Sequence, residues 1–293
     1  TMNPDDERVK GRSIFEAQGD LLVPSELARG PWYPGTQHGS TMLGLLARAV
    51  ERYPSDRPMQ VTRLTVDFSR AAPLAPVATP TRMIHAGKSV QVIEARIEAG
   101  GETYARATGL RFRLEELDLT GASPRYGMGP RHPLPAPDEG PQLPALNESD
   151  VEAFHIALEM RPTAAASMPA MWFRLRCPFV AGEETSPFVR AAVIADWTYS
   201  IPFMQELLVD PESANRERDF TTINPDTSLN LHRPMIGEWL CMDSHVHYAN
   251  CGAGSAVALL HDETGPVGHT SQSILIRGPD KRPILDDELR QRD

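Results

Sequence analysis

The sequence lacks the features that mark disulfide-rich proteins and membrane proteins. Among its 293 residues are three cysteines, Cys177, Cys241 and Cys251. Their odd number and irregular spacing fit neither a disulfide framework nor a zinc motif, so the reducing cytoplasm is the simplest compartment. No segment approaches the ~20 consecutive apolar residues of a transmembrane helix. The charged N-terminus has no apolar signal core. We therefore expect a cytoplasmic protein with no membrane partner.

Basic residues are also in the minority. The chain has 29 Lys and Arg against 39 Asp and Glu, which gives a net charge of -10 and a pI near 5.4. The basic residues are scattered along the chain, whereas binding to a nucleic-acid backbone needs them clustered. The sequence therefore argues against a nucleic-acid partner. A few local arginines could still hold a small anionic molecule.

Apolar residues are plentiful and follow regular patterns. They make up 41% of the chain, enough for a sizeable core, and the length suggests about two domains. A short strand pair turning at Gly19 comes first. A helix follows, with its apolar face on Met42, Leu43, Leu45, Leu46 and Val50 and its end at Pro54. Four segments that alternate at period 2 come next, with turns at Gly87 and Gly100–Gly101.

The amino-acid composition then changes, and after it the same order of predicted elements begins again. Residues 119–147 contain seven prolines and almost no periodicity, which indicates a linker between a domain at residues 1–118 and another at 148–293. The second domain opens with two strand-like runs. An apolar helical pattern at Pro187–Val209 follows, interrupted by one carboxylate, Asp196. Strands are then predicted near Ser228–His232, Glu238–Tyr248, Ser255–His261 and Val267–Arg277.

The two halves share this order of elements, and short segments match between them. These pairs are FSRAAP with LHRP, HAGKSV with NCGAGSA, and TGLRFR with QSILIR. Self-similarity of this kind is first a statement about the fold. It predicts an α+β chain made of two copies of one helix-plus-sheet unit, a fused pseudo-dimer.

At this point the motifs resemble a known family, the type II acyl-CoA thioesterases with a double hotdog fold. The resemblance covers roughly residues 12–115 and 150–278 and rests on the order and spacing of these segments: HGSTMLGLLARAV, DFSRAAP, HAGKSVQVIEARIEAGGETYARATG, IADWTYS, TSLNLHRP and HTSQSILIR. It implies a tandem hotdog, each half a long central helix wrapped by an antiparallel sheet. It also implies hydrolysis of a fatty or related acyl-CoA to free acid and CoA.

The resemblance also implies a site in the second half, where an Asp, a Thr and a Gln hold a water molecule. The Asp falls on Asp196 and the Gln on Gln272, whereas the Thr position falls on Asn224. Asn can donate or accept a hydrogen bond, but not both through one atom as a hydroxyl does. The nearby hydroxyls of Thr227 and Ser228 could substitute for it, and with His38 and Gly39 these two residues are the expected substrate contacts.

The residues themselves favour the same chemistry. A carboxylate in an apolar helix can take a proton from water, and amide side chains can fix the orientation of that water. The counterpart of Gln272 in the first half is about Gly109, so only one half carries the amide. His38 and Gly39 open the first helix, where backbone N–H groups could hold the acyl oxygen.

Several alternatives remain at this stage. Asp196 could cap a helix, Gln272 could face solvent, Asn224 could start a turn before Pro225, and Gly39 could serve helix packing alone. A hydratase acting on an enoyl-CoA shares the fold, but Asp219 and His232 lie too far from Asn224-Pro225 for its pattern. A third alternative is an acyl-CoA binding protein without activity.

We expect no cofactor and no metal. His245 and His247 share one strand face, but no acidic residue or cysteine lies at matching spacing. Exposed sheet edges would allow the pseudo-dimeric chains to pair further into a homo-oligomer.

Overall fold

The structure is a computed structural model that describes residues 7–30, 34–119, 134–137, 152–163, 170–210 and 220–278. Its strands form one antiparallel sheet. The strands are β1 (Phe15–Gln18), β2 (Leu21–Pro24), β3 (Met59–Phe68), β4 (Val77–Ala78), β5 (Thr81–Ala86), β6 (Val90–Ala99), β7 (Glu102–Arg113), β8 (Leu158–Pro162), β9 (Ala170–Leu175), β10 (Thr221–Ile223), β11 (Asp226–Leu231), β12 (Trp239–Ala249), β13 (Ala253–Asp262) and β14 (Gly265–Arg277).

The strand order repeats outward from the middle of the sheet. It runs β1-β2-β4-β6-β7-β3-β11-β14-β13-β12-β9-β8, with β5 beside β6 and β10 beside β14. The central pair is β3 with β11, in the register Ser228 opposite Thr65, and the two hydroxyls lie 3.2 Å apart. In each half the first strand of the meander pairs with its last strand, β3 with β7 and β11 with β14. The pairing of the first strand with the last is therefore the same in both halves of the chain.

Three α-helices are described, α1 (Gly39–Glu51), α2 (Pro187–Ala195) and α3 (Ile201–Val209). His38 caps α1 by accepting the Ser40 N–H, and Ser186 caps α2 by accepting the Val189 N–H. The α1 helix is buried along most of its length and packs on α2. A Cβ on Gly44 would lie 2.4 Å from Phe179, so glycine is needed for this close approach. Among the residues described, no helix is long and apolar enough to cross a membrane.

The prediction of one helix over Pro187–Val209 was wrong, because the chain leaves the helix at Asp196 and forms turns over residues 196–200. The apolar periodicity continues through this break, so the pattern did not reveal it. Pro202 has no N–H to donate to the carbonyl of Thr198, and that carbonyl accepts the Ser244 hydroxyl at 2.8 Å instead. Asp196 therefore lies at a helix end and not in a helix interior.

The two halves share one hydrophobic core. It includes Leu45 and Leu64 from the first half with Val193 and Leu229 from the second, all fully buried. Most of the predicted linker lies outside the described residues. Within it, residues 134–137 contact the second half, where Trp172 Nε1 donates to the Pro135 carbonyl at 3.0 Å. The division at residues 118 and 148 stays a prediction.

A buried ion pair fixes the loop after β11 to the end of β13. Asp262 is fully buried and accepts hydrogen bonds from the Arg233 guanidinium, from the Thr264 hydroxyl and from the N–H groups of Ile236 and Thr264. Burial alone would raise the pKa of Asp262, but these bonds outweigh it and lower the pKa from 3.8 to about 2.

We expect Asp262→Asn to lower the free energy of unfolding at pH 7 by roughly 2 kcal/mol, since a lowered folded-state pKa stabilises the fold above the unfolded pKa. This contribution is lost as the pH falls from about 4 towards 2, so the difference from wild type should shrink there. Urea unfolding at several pH values measures it. Glu102→Gln, which removes an exposed partner of Arg70, is the control and should change stability little. An equal effect of both substitutions at pH 7 would contradict the prediction.

Candidate functional site

The carboxylate of Asp196 lies at the junction of the two halves. It follows the last residue of α2 and sits against the first turn of α1. The Ser40 hydroxyl donates to Oδ2 at 3.2 Å, and Asn224 Nδ2 donates to Oδ1 at 2.9 Å. His38 Nδ1 is 3.4 Å from Oδ2. Asp196 is 7% exposed, so its charge is balanced by these donors more than by solvent.

The start of α1 approaches this carboxylate closely because residue 39 is glycine. A Cβ at Gly39 would lie 2.7 Å from Asp196 Oδ2 and 2.9 Å from Oδ1. The Thr41 and Met42 N–H groups donate to the His38 carbonyl, and the Ser40 N–H donates to the His38 ring. The Gly39 N–H has no partner among the residues that the structure describes. This donor is therefore available at the positive end of the helix dipole.

Gln272 is also brought to the site, but it contacts the backbone around Asp196 and not the carboxylate. Its Nε2 donates to the Asp196 carbonyl at 3.1 Å and to Thr227 Oγ1 at 3.0 Å, and its Oε1 accepts the Tyr199 N–H at 3.1 Å. It is 2% exposed. Both amide hydrogens are thus engaged within the protein, and Gln272 holds the turn from which Asp196 projects.

The two candidate hydroxyls on β11 point to opposite faces of the strand. Thr227 is fully buried and accepts from Gln272, so it supports the same turn. Ser228 points to the other face of the strand and bonds to Thr65 across the central pair. Since successive side chains of a strand face opposite sides, the two cannot both line the site. The prediction that Ser228 contacts substrate is therefore not supported by its position.

The residues that surround His38 were not predicted from the sequence. The imidazole stacks on the Trp197 ring, with centroids 5.4 Å apart and planes at 16°, and contacts the Phe154 ring at 5.0 Å. Ser40 was not assigned to the site either, although its hydroxyl donates to the carboxylate. A polar residue directly after His-Gly at a helix start was the available signal. The candidate metal pair, His245 and His247, stack at 6.3 Å on an exposed part of β12, and the described residues contain no group of three or more potential metal ligands.

The opposite end of the helix pair repeats the arrangement with different chemistry. Glu51 ends α1 and accepts the Ser186 hydroxyl at the start of α2, at 2.6 Å. Burial raises the pKa of Glu51, although the Ser186 bond and the charges of Arg111 and Arg52 oppose the shift. Arg111 on β7 donates to the Tyr53 carbonyl at 2.6 Å, as Gln272 does to carbonyls after α2. A cavity of about 140 Å³ lies here, lined partly by Glu51 and Ser186.

These contacts define what the site can do chemically. A carboxylate held by a hydroxyl and an amide can accept a proton from water. A free N–H at the helix start beside it can stabilise negative charge that develops on an oxygen. The arrangement therefore fits a reaction in which water attacks a carbonyl carbon.

Comparisons with known proteins agree with this chemistry. A family model of the acyl-CoA thioesterase N-terminal domain matches residues 28–112, and one of the acyl-CoA thioesterase C-terminal domain matches residues 130–276. No curated protein matches the chain.

Solved structures are similar over nearly the whole chain. A protein from Novosphingobium aromaticivorans gives a TM-score of 0.66 at 18% identity, over 92% of this chain and 100% of that one. A conserved protein with a hot dog fold from Alicyclobacillus acidocaldarius gives 0.65 at 14%, over 95% and 99%. An acyl-CoA thioesterase II from Mycobacterium marinum gives 0.60 at 17%, over 90% and 96%. At these identities the likeness shows the fold, which is the hotdog fold.

The contacts of Gln272 give a prediction about stability. Gln272→Glu would place a carboxylate against the carbonyls of Ala195 and Asp196, whereas Gln272→Met removes the hydrogen bonds without adding charge. We expect Met to lower the free energy of unfolding by about 1–3 kcal/mol and Glu to lower it further at pH 7. Urea unfolding of the two variants measures the order. A Glu variant as stable as wild type would show that the amide does not hold this turn.

Proposed function

We propose that this chain, which belongs to the acyl-CoA thioesterase family and is a thioester hydrolase, cleaves an acyl-CoA to free acid and CoA with Asp196 as general base. The observation that carries the proposal is the position of the Asp196 carboxylate, held by Ser40 and Asn224 at the start of α1. We also propose the finer architecture, two hotdog units in tandem, with α1 and the α2–α3 segment as their central helices. The outward repeat of the strand order supports it.

In the proposed reaction, water attacks the thioester carbonyl as Asp196 takes its proton. Asn224 can serve both groups, because its nitrogen donates to Asp196 Oδ1 at 2.9 Å while its oxygen stays available to the second hydrogen of the water. The family residue at this position, a Thr, would use one oxygen for both contacts. Asn224 is partly exposed, so the water can reach it from outside. Gln272 and Thr227 position the turn that carries the base.

The oxyanion of the tetrahedral intermediate would accept the Gly39 N–H. This donor is close to the carboxylate, since the Gly39 Cα faces Asp196 directly. The electron pair of the breaking C–S bond goes to the sulfur of CoA, and the proton taken from water supplies the thiol. Gly39 comes from the first half and Asp196 from the second. The proposed site therefore needs both.

Two further features belong to the proposal. Further pairing of chains would use the sheet edges, and the strand order ends at β1 and β8. The cytoplasm is the proposed compartment, and the unpaired state of Cys177, Cys241 and Cys251 supports it.

Thiol release from acyl-CoAs of several chain lengths tests the function. We expect Asp196→Asn to lower kcat by about 10²–10⁴-fold, because the amide cannot accept the proton. Asn224→Leu should also lower kcat, whereas Asn224→Thr should retain most of it. Asp226→Asn is the matched control, since the Asp226 carboxylate accepts the Ser273 N–H away from the site. Asp196→Asn with wild-type turnover would exclude the proposed base, and wild type without turnover on any acyl-CoA would exclude the activity.

Gly39→Ala tests the close approach of α1 to the base. The added methyl would displace the Asp196 carboxylate from Ser40 and Asn224, so we expect at least a tenfold loss of kcat in the protein that remains folded. Gly44→Ala in the same helix is the control. Its methyl meets Phe179 and Val193, and it should lower the melting temperature more than it lowers turnover of the folded protein. The reverse order would contradict the role given to Gly39.

A further inference from the structure

His38 faces the proposed base with a nitrogen that carries no proton. Its Nδ1 accepts the Ser40 N–H at 3.1 Å, as the cap of α1. A ring nitrogen that accepts is unprotonated, so the neutral imidazole carries its proton on Nε2. Asp196 Oδ2 lies 3.4 Å from the same Nδ1. Two lone pairs thus face each other across a gap that one added proton would bridge.

We propose that His38 holds the proton that Asp196 removes from the attacking water. This inference rests on the proposed function and assigns a role to a residue that the hydrolysis scheme above does not use. His38 acts through Asp196 and is therefore a positioning residue for the proton, placed on the first turn of the helix that also supplies the Gly39 N–H.

The proton and electron balance of the step is complete without another reactant. One O–H bond of water breaks, an O–C bond forms as the carbonyl π pair moves onto its oxygen, and the proton passes through Asp196 Oδ2 to His38 Nδ1; the π bond re-forms when the thiolate leaves. An imidazolium then faces a carboxylate, which is an ion pair. When the C–S bond breaks, the sulfur keeps the electron pair and the proton returns through Asp196 to the thiolate. The Ser40 N–H loses its acceptor while Nδ1 is protonated, so restoring the helix cap favours the return.

The surroundings of His38 suit a proton that is held briefly and given back. The side chain is 10% exposed, and the Trp197 and Phe154 rings limit its rotation. Asp196 faces it from the end of α2, and His155 lies near it on the short helix at Phe154–Ala157. Burial lowers the pKa of His155, and positive charge on His38 when it holds the proton, together with that of Arg8, lowers it further. His155 is therefore disfavoured as a carrier of the proton.

His38→Asn keeps the helix cap and removes the proton acceptor, because Asn is a good N-cap but cannot be protonated. We expect kcat to fall about 10²-fold with KM and melting temperature close to wild type. The pH profile of kcat should also lose one limb, because the substituted side chain has no ring nitrogen to protonate. His38→Ser, a second capping residue, should behave in the same way, and it serves if the Asn variant is poorly folded.

Two controls and one comparison decide the outcome. His155→Asn should keep the limb of the pH profile. Ser40→Ala should lower kcat but also keep the limb, since this substitution removes a donor to Asp196 and no proton carrier. Wild-type kcat in His38→Asn, or a lower kcat with the limb intact, would overturn the proposal. Asp196→Asn is measured beside them. If only the His38 variants turn over normally, the proposed role of His38 is wrong. If Asp196→Asn also turns over normally, the proposed role of Asp196 as general base is wrong as well.

Discussion

The contact between the end of α2 and the start of α1 constrains most of the molecule. It requires α2 to stop at Ala195, so that Asp196 projects from a turn, and it requires residue 39 to have no side chain. Gln272 keeps the turn in place from β14, and Asn224 reaches the carboxylate from the loop before β11. A buried carboxylate without such partners would be strongly destabilising. The surrounding polar contacts thus offset the free-energy cost of burying one charge between two helices.

The two halves of the chain each supply such a helix end, one after α2 and one after α1, and the charges of the groups around these ends differ. At one end the carbonyls after the helix bind the uncharged amide of Gln272, and at the other they bind the guanidinium of Arg111. The charge of Arg111 acts on Glu51, and Arg48 and Arg52 lie nearby, paired with Glu183. Burial raises the pKa of Glu51, although the cations around it oppose the shift. The two helix ends thus share a geometry and differ in the charged groups that surround the carboxylate.

The sequence predicted the strands, α1 and the polar residues of the site better than it predicted their geometry. Alternation and glycine turns depend on neighbouring residues, so β6, β7 and the second meander were found, as was the odd carboxylate Asp196. The break after α2 was missed because apolar spacing continues through it; Pro202 was the local signal, and Ser244 and Gln272, which hold the turns, are distant in sequence. The face of Ser228 depends on the pairing of β11 with β3. The contact of Gly39 with Asp196 joins the two halves of the chain, whereas hydrophobic periodicity describes only one segment at a time and cannot predict such a contact.

The central pair of β3 and β11 has a consequence for how such a chain can change over generations. Because the carboxylate and the helix start that receives it lie in different halves of the chain, a substitution in either half can alter their contact. Substitutions that shift the register of Thr65 against Ser228 would move both partners at once. The proline-rich stretch between the repeats contributes no residue to that geometry within the described segments. Substitutions in the β3–β11 pair are therefore expected to be tolerated less well than substitutions at positions that do not contact it.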